Sequence, residues 1–183
     1  VVAKFGGSAC GIDGEFVSDI IKRIKHLKQD SKVIAVFSAP LTMYEGKRKS
    51  LTDLALLIGK KSEDGNIPDL KPIKASYEKI LSVVSDQYKA ECQKVIDSFL
   101  AKAIQAFSEA REKKSFANEI RSRALAFSGE ILMSYVMSYI LKSAGLRSDV
   151  ANYDEWPIIT DNNIESTNFL PSESALKLGP LEI

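Results

Sequence analysis

The stretch VVAKFGGSAC, Val1–Cys10, decides how the rest of the chain is read. Two valines and an alanine suit a strand buried in a sheet, and the run then stops at Lys4, Phe5 and the adjacent glycines Gly6 and Gly7. With no side chains at Gly6 and Gly7, backbone N–H groups can come close to an anion, while Lys4 adds a positive charge and Ser8 a hydroxyl donor. A strand-to-helix turn that needs glycine for its dihedral angles accounts for the same letters with Lys4 solvated, so this loop alone does not assign a phosphate site. Two general nucleotide fingerprints are excluded. A Walker A loop requires Gly-Lys-Ser/Thr, and Gly46-Lys47-Arg48 and Gly59-Lys60-Lys61 both fail at the last position. The dinucleotide fingerprint fails at Ala9, which stands where a glycine is needed ahead of Gly11 and Gly14.

Working outward, Asp13 is placed to cap a helix in which Phe16, Val17, Ile20, Ile21, Ile24 and Leu27 share one face. VIAVF at 33–37 is a second continuous apolar run, ended by Ser-Ala-Pro. Strand, helix and strand in this order predict a right-handed βαβ unit with parallel strands. From Leu51 to about Ile140 the apolar spacing is helical instead. It runs through Leu54, Leu57 and Ile58, then Tyr77, Ile80, Leu81 and Val84, then Cys92, Val95, Ile96, Phe99, Leu100 and Ala103, and finally Ile131, Leu132, Tyr135, Val136 and Tyr139. Breaks fall at Gly65 to Pro72, around Lys113–Ser115 and at Ser128–Gly129. Gly145 takes the C′ position of the last helix, after which LRSDV and WPIIT return to strand character. The predicted fold class is α/β: a three-layer α/β/α sandwich with a mainly parallel sheet and a long helical insertion, at about 66–118.

The totals narrow the partners. At 183 residues and 45% hydrophobic composition the chain can bury one core, as one domain or one lobe of a larger one. Lys+Arg at 25 against Asp+Glu at 24 creates no field that would favour nucleic acid or a membrane surface, which leaves small molecules. Cys10 and Cys92 have neither metal-ligand nor disulfide-framework spacing, so no metal site is predicted and a reducing, cytoplasmic setting is expected. The apolar stretch ILMSYVMSYIL at 131–141 is too short to cross a bilayer and reads as a buried helix. The apolar run at the start stops at Lys4, so no targeting peptide is expected, and both termini cut across patterned sequence, as in a piece of a longer protein.

In open parallel sheets ligands bind beyond the carboxyl ends of the strands, which directs attention to the loops after Phe5, Phe37 and Val150. In SAPLTMYEGKRKSLTDL, 38–54, the hydroxyls of Ser38 and Thr52, with free amides at a helix start, can hold a carboxylate. The plainer alternative makes Ser50 or Thr52 an N-cap, and Lys47–Lys49 read as a solvated surface loop. In FSGEILMS, 127–134, Glu130 opens an apolar helix, where it either binds a substrate amino group or serves only as a helix-start residue. His26 has no partner pattern, and Trp156, Cys10 and Cys92 read as packing residues. ITDNN at 159–163 is either a polar strand-end loop or a turn.

Taken in order, KFGGS at 4–8, VFSAP at 36–40, LTDL at 51–54, SGE at 128–130 and IITDNN at 158–163 resemble the N-terminal half of the aspartate kinases, within the amino acid kinase superfamily. The resemblance runs over nearly the whole chain. It implies that residues 1–183 form the amino acid substrate lobe of a kinase domain, with the nucleotide lobe and the regulatory domains outside this sequence. It implies transfer of the ATP γ-phosphoryl group, with Mg2+, to the side-chain carboxylate of aspartate, the first step toward lysine, threonine and methionine, in a cytoplasmic homo-oligomer. Lys4, Gly6, Gly7 and Ser8 would bind the phosphoryl group, with Lys4 catalytic, and Ser38, Thr52 and Glu130 would hold aspartate. Ala9-Cys10 departs from the small hydroxyl residue and valine more usual in the family, and the spacer from Ser38 to Thr52 is wider than in many members. Other kinases of the same fold, acting on glutamate, acetylglutamate or uridylate, and a non-catalytic amino acid binding module remain as alternatives.

Overall fold

The computed structural model describes residues 1–151, 159–161, 168–172 and 174. The opening stretch forms β1 (Val2–Phe5) and a single helical turn, α1 (Gly7–Cys10); α2 (Val17–Asp30) and β2 (Ile34–Phe37) follow. β1 and β2 are parallel and in register from Val2↔Ile34 to Phe5↔Phe37, so the βαβ unit is present. Alternation gives the pair two unlike faces. Phe5 and Phe37 stack at 5.5 Å on the buried side, while Val2, Lys4, Ile34 and Val36 share the exposed one. α2 buries Val17, Ile20 and Ile24, while Ile21 and Leu27 are half-buried and Phe16, expected on the same face, is exposed at the N-cap position.

Asp13 does not cap α2. Phe16 occupies the N-cap position without a side-chain hydrogen bond, whereas Asp13 lies three residues ahead with a positive φ of 51°. Its carboxylate instead accepts a hydrogen bond from Lys79 Nζ at 2.7 Å. The expected surface loop around Lys47–Lys49 is also corrected. β3 (Leu41–Tyr44) and β4 (Lys47–Ser50) form an antiparallel hairpin, closed by Leu41↔Ser50 at its base and Tyr44↔Lys47 at its tip. Glu45 and Gly46 turn the corner with φ of 49° and 73°, the positive pair that a two-residue turn of the I′ type requires. Lys47 and Arg48 are exposed, as expected of them, but they lie on a strand.

Ser50 then starts α3 (Leu51–Glu63) with a reciprocal capping box: its Oγ accepts from Asp53 N at 3.0 Å while Ser50 N donates to the Asp53 carboxylate at 3.4 Å. Such a cap contributes about 1 kcal/mol. Four helices follow: α4 (Lys71–Leu81), α5 (Asp86–Lys113), α6 (Asn118–Ser128) and α7 (Glu130–Ser143). α5 is the spine on which α3, α4, α6 and α7 pack, and α7 returns to β2. Ile96, Ala103, Phe107, Leu132, Met133, Val136, Met137 and Ile140 fill the space between them. By length and hydropathy alone Asn118–Ser143 could cross a bilayer, but Gly129 breaks it into two helices and more than half of its most apolar stretch is buried in this core.

Gly145 ends α7 as expected, with φ of 78°, while its own N–H and that of Leu146 bond the carbonyls of Lys142 and Leu141. The strand expected at LRSDV is absent. Leu146–Val150 has charged residues in alternation with few apolar ones and no partner strand among the described residues. The chain comprises two compact units, Val1–Ser148 and Asp149–Ile183. Within the second unit Thr160 bridges Phe169, and the Asp161 carboxylate accepts from the Asn168 amide N at 3.1 Å and from its Nδ2 at 2.7 Å. Of the motifs singled out in the sequence, Trp156, Ile158, Asn162 and Asn163 lie outside the described residues. Among the described residues the protein is mixed α/β with helices dominant and short strands, rather than a broad parallel sheet.

Candidate active site

The carboxyl ends of β1 and β2 are laced together by backbone hydrogen bonds. Ser38 N donates to the Phe5 carbonyl at 3.0 Å, Leu41 N to Gly11 at 3.3 Å, Asp13 N to Leu41 at 2.7 Å and Leu51 N to Pro40 at 3.0 Å. Two glycines make this closeness possible. A Cβ on Gly7 would lie 2.7 Å from the Ala39 carbonyl oxygen, nearer than side chains tolerate. One on Gly129 would lie 2.8 Å from the Leu125 carbonyl oxygen, 3.4 Å from Ala39 Cβ and 3.6 Å from Thr52 Oγ1. Segments far apart in sequence therefore meet around Ala39: the turn after β1, the end of β2, the head of α3 and the junction of α6 with α7.

Lys4 stands opposite Val36 on the exposed face of the sheet, and its Nζ lies 3.3 Å from the position that a Cβ on Gly6 would take. It makes no ion pair with a described residue. Gly6 precedes α1 in an extended conformation, so the amides of Gly7 and Ser8 open the turn without an intrahelical acceptor. Ser8 is exposed. Ser38 is half-buried directly after β2, and Thr52 is half-buried in the first turn of α3, beside Gly129. Because Ser50 is the cap of that helix, the Thr52 hydroxyl has no capping duty, and neither it nor the Ser38 hydroxyl bonds a described residue. Glu130 is the exposed first residue of α7 and has no ion pair with a described residue. The seven candidate positions thus belong to the segments that converge, with a cationic and an anionic end and hydroxyls between them in the sequence order.

Behind these groups lie residues that sequence reasoning did not single out for the site. The Tyr77 hydroxyl, on α4, donates to the carbonyls of Gly129 at 2.9 Å and Ser128 at 3.2 Å. Burial, with a smaller effect of Cys10 nearby, pushes this phenol above the ordinary tyrosine range. Two residues along α4, Lys79 holds Asp13. Burial raises the Asp13 pKa, but hydrogen bonding to Lys79 and the polar and charged neighbours together outweigh it, leaving the carboxyl below its ordinary 3.8. The Thr42 and Ser76 hydroxyls face this carboxylate and favour its charged form, although Asp13 Oδ1 and Ser76 Oγ each fall short of a full hydrogen bond. Only the Tyr77 helical period was visible in the sequence; its hydroxyl's distant target was not. Burial pushes the Cys10 thiol up to about 11 and Cys92 up to about 12, which suits packing rather than chemistry.

Residues 1–173 match the amino acid kinase family, a span that contains every group just described from Lys4 to Glu130. The chain belongs to that family. A search of curated proteins finds no match to it. Membership makes the protein a kinase-type phosphotransferase of the amino acid or nucleotide kind, in a family that generally uses ATP and Mg2+. The Lys4–Gly7 turn suits the phosphate part of such a nucleotide, with an ammonium that has no ion pair among the described residues beside a glycine, and amides opening a turn. Magnesium is different: among the described residues no group of three or more His, Cys, Asp or Glu is placed to hold a metal ion.

Proposed function

We propose that this kinase is an aspartate kinase, which transfers the γ-phosphoryl group of ATP to the side-chain carboxylate of aspartate. The observation that carries the reading is the convergence around Ala39 of the Lys4–Gly7 turn, Thr52 and the Gly129–Glu130 junction. An amino acid that accepts phosphate on a carboxylate needs an anionic site for its ammonium, donors for its carboxylate groups and a cationic site for the group in transit. Glu130, the hydroxyls of Ser38 and Thr52, and Lys4 with the amides of Gly7 and Ser8 are of those three kinds. ATP supplies the electrophilic phosphorus. A carboxylate oxygen of aspartate forms the new P–O bond as the bond to the ADP oxygen breaks, and the carboxylate needs no base because it carries no proton. The protein's part is positioning and donors for spreading negative charge. Lys4 meets that charge as it moves, Gly7 allows the turn to sit against Ala39, and Glu130 orients the amino acid.

The test is direct. The intact protein, given ATP, Mg2+ and aspartate with hydroxylamine present, should release aspartyl hydroxamate, because hydroxylamine captures acyl phosphates. Turnover of glutamate, acetylglutamate or uridylate in place of aspartate would retain the family and replace the substrate. Binding of aspartate with no ATP turnover under these conditions would favour a binding module.

A further inference from the structure

Tyr77 is entirely buried on α4, yet the proposed chemistry gives it no part. Its ring could be any apolar side chain; its hydroxyl is the informative atom. That one proton is shared between the carbonyls of Ser128 and Gly129, the last residue of α6 and the residue on which α7 begins. The Ser128 carbonyl, at the end of α6, has no helical donor, and in a buried place it needs another. The Gly129 carbonyl also accepts from Met133 N at 2.9 Å, the hydrogen bond that opens α7. Tyr77 thus holds the peptide from which Glu130 departs. The same turn of α4 fixes the other side of the site, since Lys79 grips Asp13 and Ile80 lies against Gly14, where a Cβ would come within 2.9 Å of its Cγ1.

We propose that Tyr77 is a positioning residue for the acceptor amino acid, acting through the Ser128 and Gly129 carbonyls to aim the Glu130 carboxylate at the acceptor's ammonium group. This rests on the reading of Glu130 given above. Tyr77→Phe keeps the ring and removes only the hydroxyl. In the intact protein it should raise the KM for aspartate about fivefold, the factor that loss of one neutral hydrogen bond carries, while kcat and the KM for ATP stay within about twofold. In a Glu130→Ala background the same change should leave the aspartate KM where Glu130→Ala alone puts it, because the group it aims is gone. An unchanged KM in the otherwise wild-type protein, or an equal rise in both backgrounds, overturns the proposal.

A second measurement is independent of the substrate. Hydrogen exchange at the Met133 amide should quicken in Tyr77→Phe while the middle of α5 keeps its protection, and unchanged exchange at Met133 overturns the proposal whatever the acceptor proves to be. Should wild-type protein phosphorylate a different amino acid, the aspartate reading fails by itself, and the same pair of backgrounds measured with that acceptor decides the role of Tyr77.

Discussion

Lys4 and Lys79 flank the same glycine-rich segment, and both are exposed lysines, but the molecule uses them in opposite ways. Lys79 is anchored 2.7 Å from the Asp13 carboxylate, whereas Lys4 has no acidic partner among the described residues. The hydroxyls show the same division. Ser50, Ser62, Ser128 and Tyr77 all have hydrogen bonds within the protein, and Ser38 and Thr52 have none with a described residue. Most polar groups behind the site are paired and hold its loops, Asp13 Oδ1 and Ser76 Oγ excepted, whereas the Ser38 and Thr52 hydroxyls and the Lys4 ammonium have no partner among the described residues. A buried polar group without a partner is costly, so support groups must be paired, while groups in contact with water can be kept unpaired until a ligand arrives.

The strongest way to break this division is Lys4→Ala. Loss of a preorganised donor to the transition state should lower kcat on the order of a hundredfold, with circular dichroism unchanged, in steady-state assays of acyl phosphate formation. A rate within a few-fold of wild type would return the glycine loop to a structural turn. Glu130→Ala should act next most strongly, and on binding: the KM for aspartate should rise on the order of tenfold, and that for ATP much less, because a charged hydrogen bond to the ammonium is lost from ground and transition states alike. Equal rises for both substrates would remove Glu130 from the amino acid site.

The support side is sharpened by pH. Because the folded Asp13 pKa is lowered, its stabilising effect is fully present above the ordinary 3.8 and is lost as pH falls through the lower folded value. Asp13→Asn should therefore lower the urea midpoint near neutral pH and weaken its acid dependence below about pH 4, with little effect on kcat. Asparagine tolerates the positive φ of 51° at this position, so the charge is what changes. An acid limb identical to wild type would show that the Lys79 contact contributes nothing to stability.

Much of this was legible in the sequence, for local reasons. The βαβ unit follows from two short apolar runs and one helical period, and the helical stretch from the spacing of residues such as Ile96 and Leu132. Family motifs gave the candidate residues Lys4 to Glu130, and the fold brings their segments together. The hairpin at 41–50 escaped because Lys47, Arg48 and Lys49 read as a solvated loop, although Glu45-Gly46 between flanking Tyr44 and Lys47 was the available turn signal. Asp13 was misread because Asp before a helix is a common cap, and nothing in the chain's local pattern pointed to Lys79 across 66 positions. Tyr77 was legible as a core residue from its period, but the target of its hydroxyl, 51 and 52 residues away, depends on tertiary packing alone.

The closed base of the β3–β4 hairpin has a geometric consequence for the distance between Ser38 and Thr52. Leu41 pairs with Ser50, and Leu51 N bonds the Pro40 carbonyl, so the chain leaves and re-enters the neighbourhood of Ala39 at one point. Everything from Thr42 to Lys49 projects from that point as a stem. The number of residues in the stem therefore does not set the span between the two hydroxyls. The closure at the base rests on the Leu41–Ser50 pair and the Leu51 N to Pro40 carbonyl bond, so it is independent of the Glu45-Gly46 tip at the far end of the stem.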